Sequence, residues 1–237
     1  MKSLKTKKGR DEHGLFIIEG TKPVAEIPVN WHVCAYICAE SYPHKDKAIV
    51  VSDSRFASLS DTVTPQGIMA ICKKQTFKLD NVISESSFIL IGEALSDPGN
   101  IGTLIRTAAA AGADAVILSE GSGDVYNPKT IRAAAGASLR IPIIEQANLN
   151  ELIPKLKMQR IKVLASHLKG EFSPYDVNLQ QGCAILVGNE ARGLSDEISA
   201  LTDIRVKLPM AKDVESLNAS VAGGILMYEV LRQRRQL

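Results

Sequence analysis

The chain has no apolar run approaching the ~20 residues a bilayer-spanning helix needs. Its basic N-terminus lacks the apolar stretch of a secretory leader, so the expected location is the cytoplasm. Four cysteines, Cys34, Cys38, Cys72 and Cys183, are too few and too scattered for a disulfide framework. No CxxC pair or Cys/His ligand spacing points to a metal. Cys34 and Cys38 are spaced for one face of a strand and read as free buried thiols. No GxGxxG follows the first strand and no GxxxxGK[ST] occurs, so neither a dinucleotide fold nor a P-loop is supported. A large charge of one sign is missing too, the formal net charge being only +2.

What remains is an ordinary globular composition, 45% hydrophobic and 23% charged, with 237 residues to bury a sizeable core. Basic residues cluster at the start, in MKSLKTKKGR, where Lys2, Lys5, Lys7, Lys8 and Arg10 have no acidic neighbour. Such a run can bind phosphates with steep salt dependence. The competing reading is a solvated, frayed terminus.

Up to about residue 75 the elements are short and mixed. LFIIEG, HVCAYICAE, AIVVSD and GIMAICKK read as strands, with short helices near Lys22–Ile27 and Ser54–Leu59. SDTVTPQG is turn chemistry, and KKQTFKLDNVISESS reads as a linker. After Ser87 six apolar strand candidates appear: SFILIG, ADAVILS, RIPIIE, KVLAS, CAILVG and DIRVKL. Helical stretches separate most of them. Strands that alternate with helices and are apolar on both faces predict a parallel α/β sheet, with ligands beyond the strands' carboxyl ends.

Three segments at such ends carry polar residues a core does not need. In IGEALSDPGNIGTLIRTAAAAG (91–112), Asp97-Pro98 starts a helix. Asn100 lies at its mouth, as cap or ligand group, and Arg106 follows a turn and a half later. Gly99 and Gly102 allow close backbone approach. In ILVGNEARGLSDE (185–197), Gly188 ends a strand and Asn189-Glu190 precede Gly193, a loop that exposes backbone groups. In RVKLPMAKDVESLNASVAGGILMYEV (205–230), Leu208 and Met210 lie near a strand end, and a helix is expected from about Ser216. Leu217 would plug a flat ring at that helix mouth, and Ala219, Ser220, Ala222, Gly223 and Gly224 suit close packing.

In this order and spacing the three segments resemble the signature motifs of the SpoU, or TrmH, family of RNA ribose 2′-O-methyltransferases: DPGNIGTLIRTA, LVGNEARGLSDE and LPMAKDVESLNASVAGGILMYEV. IRAAAGASLRIPI is in the family's style. GLFIIEGTKPVAE and LSDTVTPQGIMAI resemble the family's frequent N-terminal module, which is similar to kink-turn-binding ribosomal proteins. The resemblance implies an α/β domain over 87–237 whose C-terminus is tucked into a trefoil knot. A small α+β RNA-binding domain would precede it over 1–75, with a linker at 76–86. It further implies S-adenosylmethionine as cofactor, a homodimer, and RNA as partner, ribosomal RNA first and transfer RNA second. The cofactor would touch Gly188, Asn189, Leu208, Met210 and Leu217. Asn100, Arg106, Glu190, Ser216 and Asn218 match the family's active-site positions, and Lys5, Lys7, Lys8 and Arg10 would meet RNA. Arg106 stays protonated, so it is expected to donate to the ribose oxygen and a nearby phosphate. Aromatics are only 5% of the chain, leaving Tyr126 and Phe172 as loop candidates for base stacking. Three alternatives stay open: a non-catalytic RNA-binding relative, the same chemistry on transfer RNA, and methylation of a base nitrogen.

Overall fold

A computed structural model describes residues 1–43 and 46–235. Two sheets organise it. The first contains β1 (Leu15–Glu19), β2 (Val33–Ala39), β3 (Ile49–Val51) and β4 (Ile68–Lys73) in the order β1-β4-β2-β3. β4 pairs antiparallel with β1 and β2, and β2 pairs parallel with β3. A bulge between Val33 and Ala35 leaves Cys34 unpaired in β2. The extra residue breaks the period-2 alternation, so Cys34 is exposed while Cys38 is buried. The expectation of two buried thiols on one face therefore fails at Cys34.

The N-terminal basic run is not frayed. Lys2–Lys5 form a 3₁₀ turn and Lys7–His13 form helix α1, capped by Thr6, whose hydroxyl accepts from the Gly9 N–H. A Cβ at Gly9 would lie 2.0 Å from the Ser3 carbonyl oxygen, so only glycine lets the two turns touch. α2 (Thr21–Ala25) and α3 (Asp53–Leu59) complete this half.

The second sheet is wholly parallel and runs β10-β8-β9-β5-β6-β7. Its strands are β5 (Phe88–Gly92), β6 (Ala115–Ser119), β7 (Ile143–Ala147), β8 (Lys162–Ser166), β9 (Cys183–Val187) and β10 (Ile204–Val206). All six lie where the apolar runs predicted them. β5, β6 and β9 are buried at every residue, as in a sheet covered on both faces. Leu90 and Ile185 face α4 (Pro98–Ala110) and α8 (Ala219–Arg235). Their neighbours Ile89, Ile91 and Leu186 face α6 (Leu149–Met158) and α7 (Asp196–Leu201). α5 (Pro128–Ala134) packs on α4, and a Cβ at Gly102 would come within 2.6 Å of the Thr130 carbonyl. What approaches Gly102 is thus α5, not a ligand.

The last helix begins at Ala219, not near Ser216. The Asn218 side-chain oxygen accepts from the N–H groups of Ser220 and Val221 and from the Ser220 hydroxyl, which fixes the start there. Val214–Asn218 are loop. The small-residue tract packs as its composition suggested: a Cβ at Gly223 would lie 2.6 Å from Leu104 of α4 and 3.2 Å from Val187 of β9.

The two halves share one apolar core. Phe16 packs against Tyr126 with the rings tilted at 47° and their centroids 4.6 Å apart, and meets Trp31 edge-on, while the Trp31 indole N–H donates to the Leu139 carbonyl at 2.8 Å. Arg10 is buried. Its Nε donates to Asp124 at 2.8 Å and its Nη1 to the Leu4 carbonyl at 2.7 Å. This corrects the placement of Arg10 on RNA: a basic residue five residues after the Lys2–Lys5 turn has been folded inward to meet a carboxylate 114 residues away. Tyr126 is equally unable to stack on a base, being buried with its hydroxyl donating to the Gln75 carbonyl; burial pushes its hydroxyl's pKa up. Phe172 is exposed.

Candidate active site

β5 and β9 are neighbours, yet the chain leaves β5 toward β6 on one side and leaves β9 toward β10 on the other. Such a reversal opens a crevice at the strands' carboxyl ends. The loops 93–97 and 188–195 flank it, and the loop 207–218 closes over it.

The second of these loops is a tight turn, with the Asn189 and Gly193 backbones bonded both ways at 3.0 and 2.8 Å. Its geometry demands glycine at 188, where a Cβ would sit 2.3 Å from the Gly193 and Leu194 backbone. The Asn189 side chain holds the turn's interior through the N–H groups of Ala191 and Arg192, and donates to the Ala94 carbonyl at 2.8 Å.

Glu190 joins the loops. One carboxylate oxygen accepts from the Ser96 N–H and hydroxyl, the other from the Asp97 N–H and the Asn100 amide. Partial burial works against its charge, but donors from its own backbone, Ser96, Asn100 and Asp97 outweigh it and hold the pKa below the usual carboxylate value. Asp97, not Asn100, caps α4, accepting from the Asn100 N–H at 2.8 Å. The Asn100 side chain is free for a second bond, and its oxygen accepts from Asn218 at 3.0 Å. One line of hydrogen bonds, Glu190–Asn100–Asn218, therefore ties together all three sequence segments.

A pocket of about 240 Å³ opens beside this line, at the ends of β8, β9 and β10. All five predicted cofactor residues, Gly188, Asn189, Leu208, Met210 and Leu217, line it, together with Glu190 and Ser216. Asn100 and Asn218 stand just outside. Sequence reasoning missed the wall formed by Ser166, His167 and Leu168 and the contribution of Ala219 and Ala222. The first was findable, because KVLAS is a strand of the same sheet and its carboxyl end had to lie at the same edge.

Arg106 is elsewhere. It is exposed on α4 and lines a different cavity, between the two halves of the chain. Within one chain the guanidinium does not reach the pocket. Among the N-terminal cations, Lys5 binds the Ser60 carbonyl and Asp61, and Lys7 binds Asp11, while Lys8 is exposed. The described residues contain no cluster of three or more His, Cys, Asp or Glu suited to a metal, and no helix long and apolar enough to cross a membrane.

Comparison with known proteins agrees with this arrangement. Residues 87–228 match the model of the SpoU rRNA Methylase family, and residues 1–70 match the MRM3-like substrate binding domain. The chain is 33% identical over 236 residues to the 23S rRNA (guanosine(2553)-2′-O)-methyltransferase RlmP of Bacillus subtilis, covering 97% of this chain and 93% of that one. Among solved structures, the SpoU methyltransferase AviRb from Streptomyces viridochromogenes in complex with AdoMet superposes with a TM-score of 0.90. It is 25% identical and spans 98% of this chain and 95% of its own. The AdoMet-bound rRNA methyltransferase from Sinorhizobium meliloti gives 0.87 at 28% identity, over 100% and 93%. With the family model covering more than half of the residues, and the three motif segments bonded to one another at the sheet's reversal point, this chain belongs to the SpoU rRNA methylase family.

Proposed function

We propose that the protein transfers a methyl group from S-adenosylmethionine to a ribose 2′-hydroxyl of structured RNA, with ribosomal RNA as its substrate. The observation that carries this is the Glu190–Asn100–Asn218 line beside a pocket walled by backbone and apolar side chains. The pocket suits the cofactor chemically: Leu208, Met210 and Leu217 offer surface to a flat ring, and the 188–193 turn offers peptide groups to its polar edge. The missing Cβ at Gly188 keeps that turn closed. The bound cofactor supplies a methyl on sulfonium sulfur.

The chain's residues then have to align and polarise the acceptor. As the 2′-oxygen takes the methyl, the carbon–sulfur bond breaks and the hydroxyl proton leaves for solvent. Glu190, with both oxygens already accepting, acts as a tie that fixes loop 93–97 and Asn100 rather than as a base. Asn218 transmits that order to the third loop, and Ser216 lies at the pocket rim. Arg106 donates to the developing alkoxide from the second subunit of a homodimer. In support, α8 exposes Val221, Ile225 and Tyr228 along one face, with Val214 and Leu217 beside them, a patch that a second copy would cover. The return of the chain from β10 at one edge to α8 between α4 and β9 fits the trefoil knot of the family. Residues 1–75 act as the RNA-binding domain, joined by 76–86 to the catalytic domain over 87–237, and the protein works in the cytoplasm.

Two measurements test the reading. Calorimetric titration with S-adenosylmethionine should show binding that Gly188→Ala weakens more than tenfold. Transfer of labelled methyl to deproteinised ribosomal RNA should fall at least 100-fold in Arg106→Ala while cofactor binding persists. Absent cofactor binding, or near wild-type turnover in folded Arg106→Ala and Arg106→Lys dimers, contradicts it. Label on transfer RNA alone corrects the substrate, and label on a base nitrogen contradicts the ribose acceptor.

A further inference from the structure

The turn after β9 supplies one wall of the pocket, every residue from Val187 to Gly193 lining it. A wall made of a turn is only as well placed as its two stems. Both stems are tied to one residue, Glu93, just past the end of β5. Its N–H donates to the Val187 carbonyl at 2.9 Å, holding the segment that enters the turn. Its carboxylate holds the segment that leaves: Oε2 accepts from the Ser195 N–H at 2.9 Å and Oε1 from the Ser195 hydroxyl at 2.6 Å. Neither Glu93 nor Ser195 is among the described residues that line the pocket.

The residue after Glu93 is unusual in its backbone. Ala94 has φ 47°, in the left-handed region that side chains rarely adopt. Such a residue persists where its surroundings over-determine it. Its N–H donates to the Ser119 hydroxyl at 2.8 Å, and its carbonyl accepts from the Asn189 amide at 2.8 Å. The next residue, Leu95, is fully buried against Gly92, where a Cβ would lie 2.5 Å from the leucine Cδ1. Segment 93–95 is therefore fixed from beneath, and it grips the turn at both stems and at Asn189. Capping of α7 does not account for this grip. The cap needs only the Ser195 oxygen, which accepts from the Ile198 N–H; the two bonds from Ser195 to a carboxylate on another strand are additional.

We propose that Glu93 is a positioning residue for the cofactor: a clasp across both stems that shapes the 188–193 wall through Val187 and Ser195, before any ligand arrives and without touching it. The assignment rests on the cofactor binding proposed above. Preorganisation raises affinity by lowering the cost of ordering a site on binding. The clasp shapes a wall and does not meet the reacting atoms, so its loss weakens S-adenosylmethionine and S-adenosylhomocysteine alike. Turnover at saturation is largely spared.

Calorimetric titration of the whole protein with each of the two ligands tests this. Hydrogen exchange of the Asn189 and Gly193 amides, which bond across the turn, is followed without ligand. Glu93→Ala should weaken both ligands about tenfold, raise the KM for the cofactor by the same factor and change kcat less than about threefold. Exchange at the two amides should speed at least about tenfold. Glu93→Gln keeps the shape and one acceptor, so it should fall between wild type and Glu93→Ala, and it serves if the alanine variant does not fold. Ser195→Ala should weaken both ligands, and Ser195→Thr should restore them because threonine keeps the hydroxyl. Asn148→Ala removes the cap of α6, beside β7 at the far edge of the sheet, and should lower the melting temperature without altering affinity or exchange at the turn. Unchanged affinity in both Glu93 variants overturns the positioning role even if the wild type methylates, and a lower melting temperature beside it marks Glu93 as structural only. A wild type that binds neither ligand overturns the proposed activity. The exchange rates then judge the clasp by themselves, and unchanged rates in both Glu93 variants overturn it too.

Discussion

Arg10→Met separates a structural arginine from an RNA-binding one. The side chain is 2% exposed and donates to Asp124, itself 8% exposed, and to the Leu4 carbonyl. Methionine keeps most of the stem's packing and removes the charge. Asp124 keeps the bond from the Tyr126 N–H at 2.8 Å but loses both guanidinium donors. Removing one partner from a buried pair costs about 3–5 kcal/mol. At about 2–4 °C per kcal/mol for a chain of this size, the melting temperature should fall by roughly 6–20 °C. In Asp124→Asn the Oδ1 acceptor survives, so the double variant should recover at least about 2 kcal/mol of coupling in urea unfolding. RNA binding per folded molecule should be unchanged. A loss below about 0.5 kcal/mol with no coupling, accompanied by weaker RNA binding, would refute the buried pair and restore Arg10 to the RNA surface.

Gly188→Ala forces a Cβ within 2.3 Å of backbone that no side chain can vacate, so cofactor affinity by calorimetry should drop more than tenfold. Replacing Ile225 and Tyr228 of α8 together by aspartate should convert a dimer to monomer in sedimentation and abolish methyl transfer while the fold persists by circular dichroism. Glu145 has its pKa raised by burial, so its ionised form is disfavoured in the fold. For a raised acid the stabilising contribution is complete below the unfolded pKa and is lost as pH rises through the folded one. Glu145→Gln should therefore raise the melting temperature at pH 7, and the gain should vanish near pH 4. Glu190 is shifted the other way, so its contribution is present above the unfolded value and lost only as pH falls through its lowered folded pKa. Activity should show no inflection from Glu190 between pH 5 and 8.

All ten strands were legible because apolar runs bounded by turn residues report local conformation directly. That Gly188, Asn189, Leu208, Met210 and Leu217 would line one pocket was legible, since strand ends in a parallel sheet share one edge. What escaped was long-range. Nothing local says that Arg10 turns inward, because its partner is Asp124, or that one inserted residue rotates Cys34 out of the core. The start of α8 was misplaced because Ser216 and Asn218 are equally good caps by type, and only the Asn100 contact and the three bonds to Asn218 choose between them. Arg106 carries the most instructive difference. Its position on α4 could be read, but not that the helix aims it at the interdomain cleft instead of its own chain's pocket.

Nucleoside mass spectrometry of ribosomal RNA, incubated with the protein and S-adenosylmethionine and then digested, tests the central claim most directly. The account predicts one 2′-O-methylnucleoside, formed by the wild type and missing with Arg106→Ala. A base-methylated product, or no methylated nucleoside despite bound cofactor and bound RNA, would contradict it.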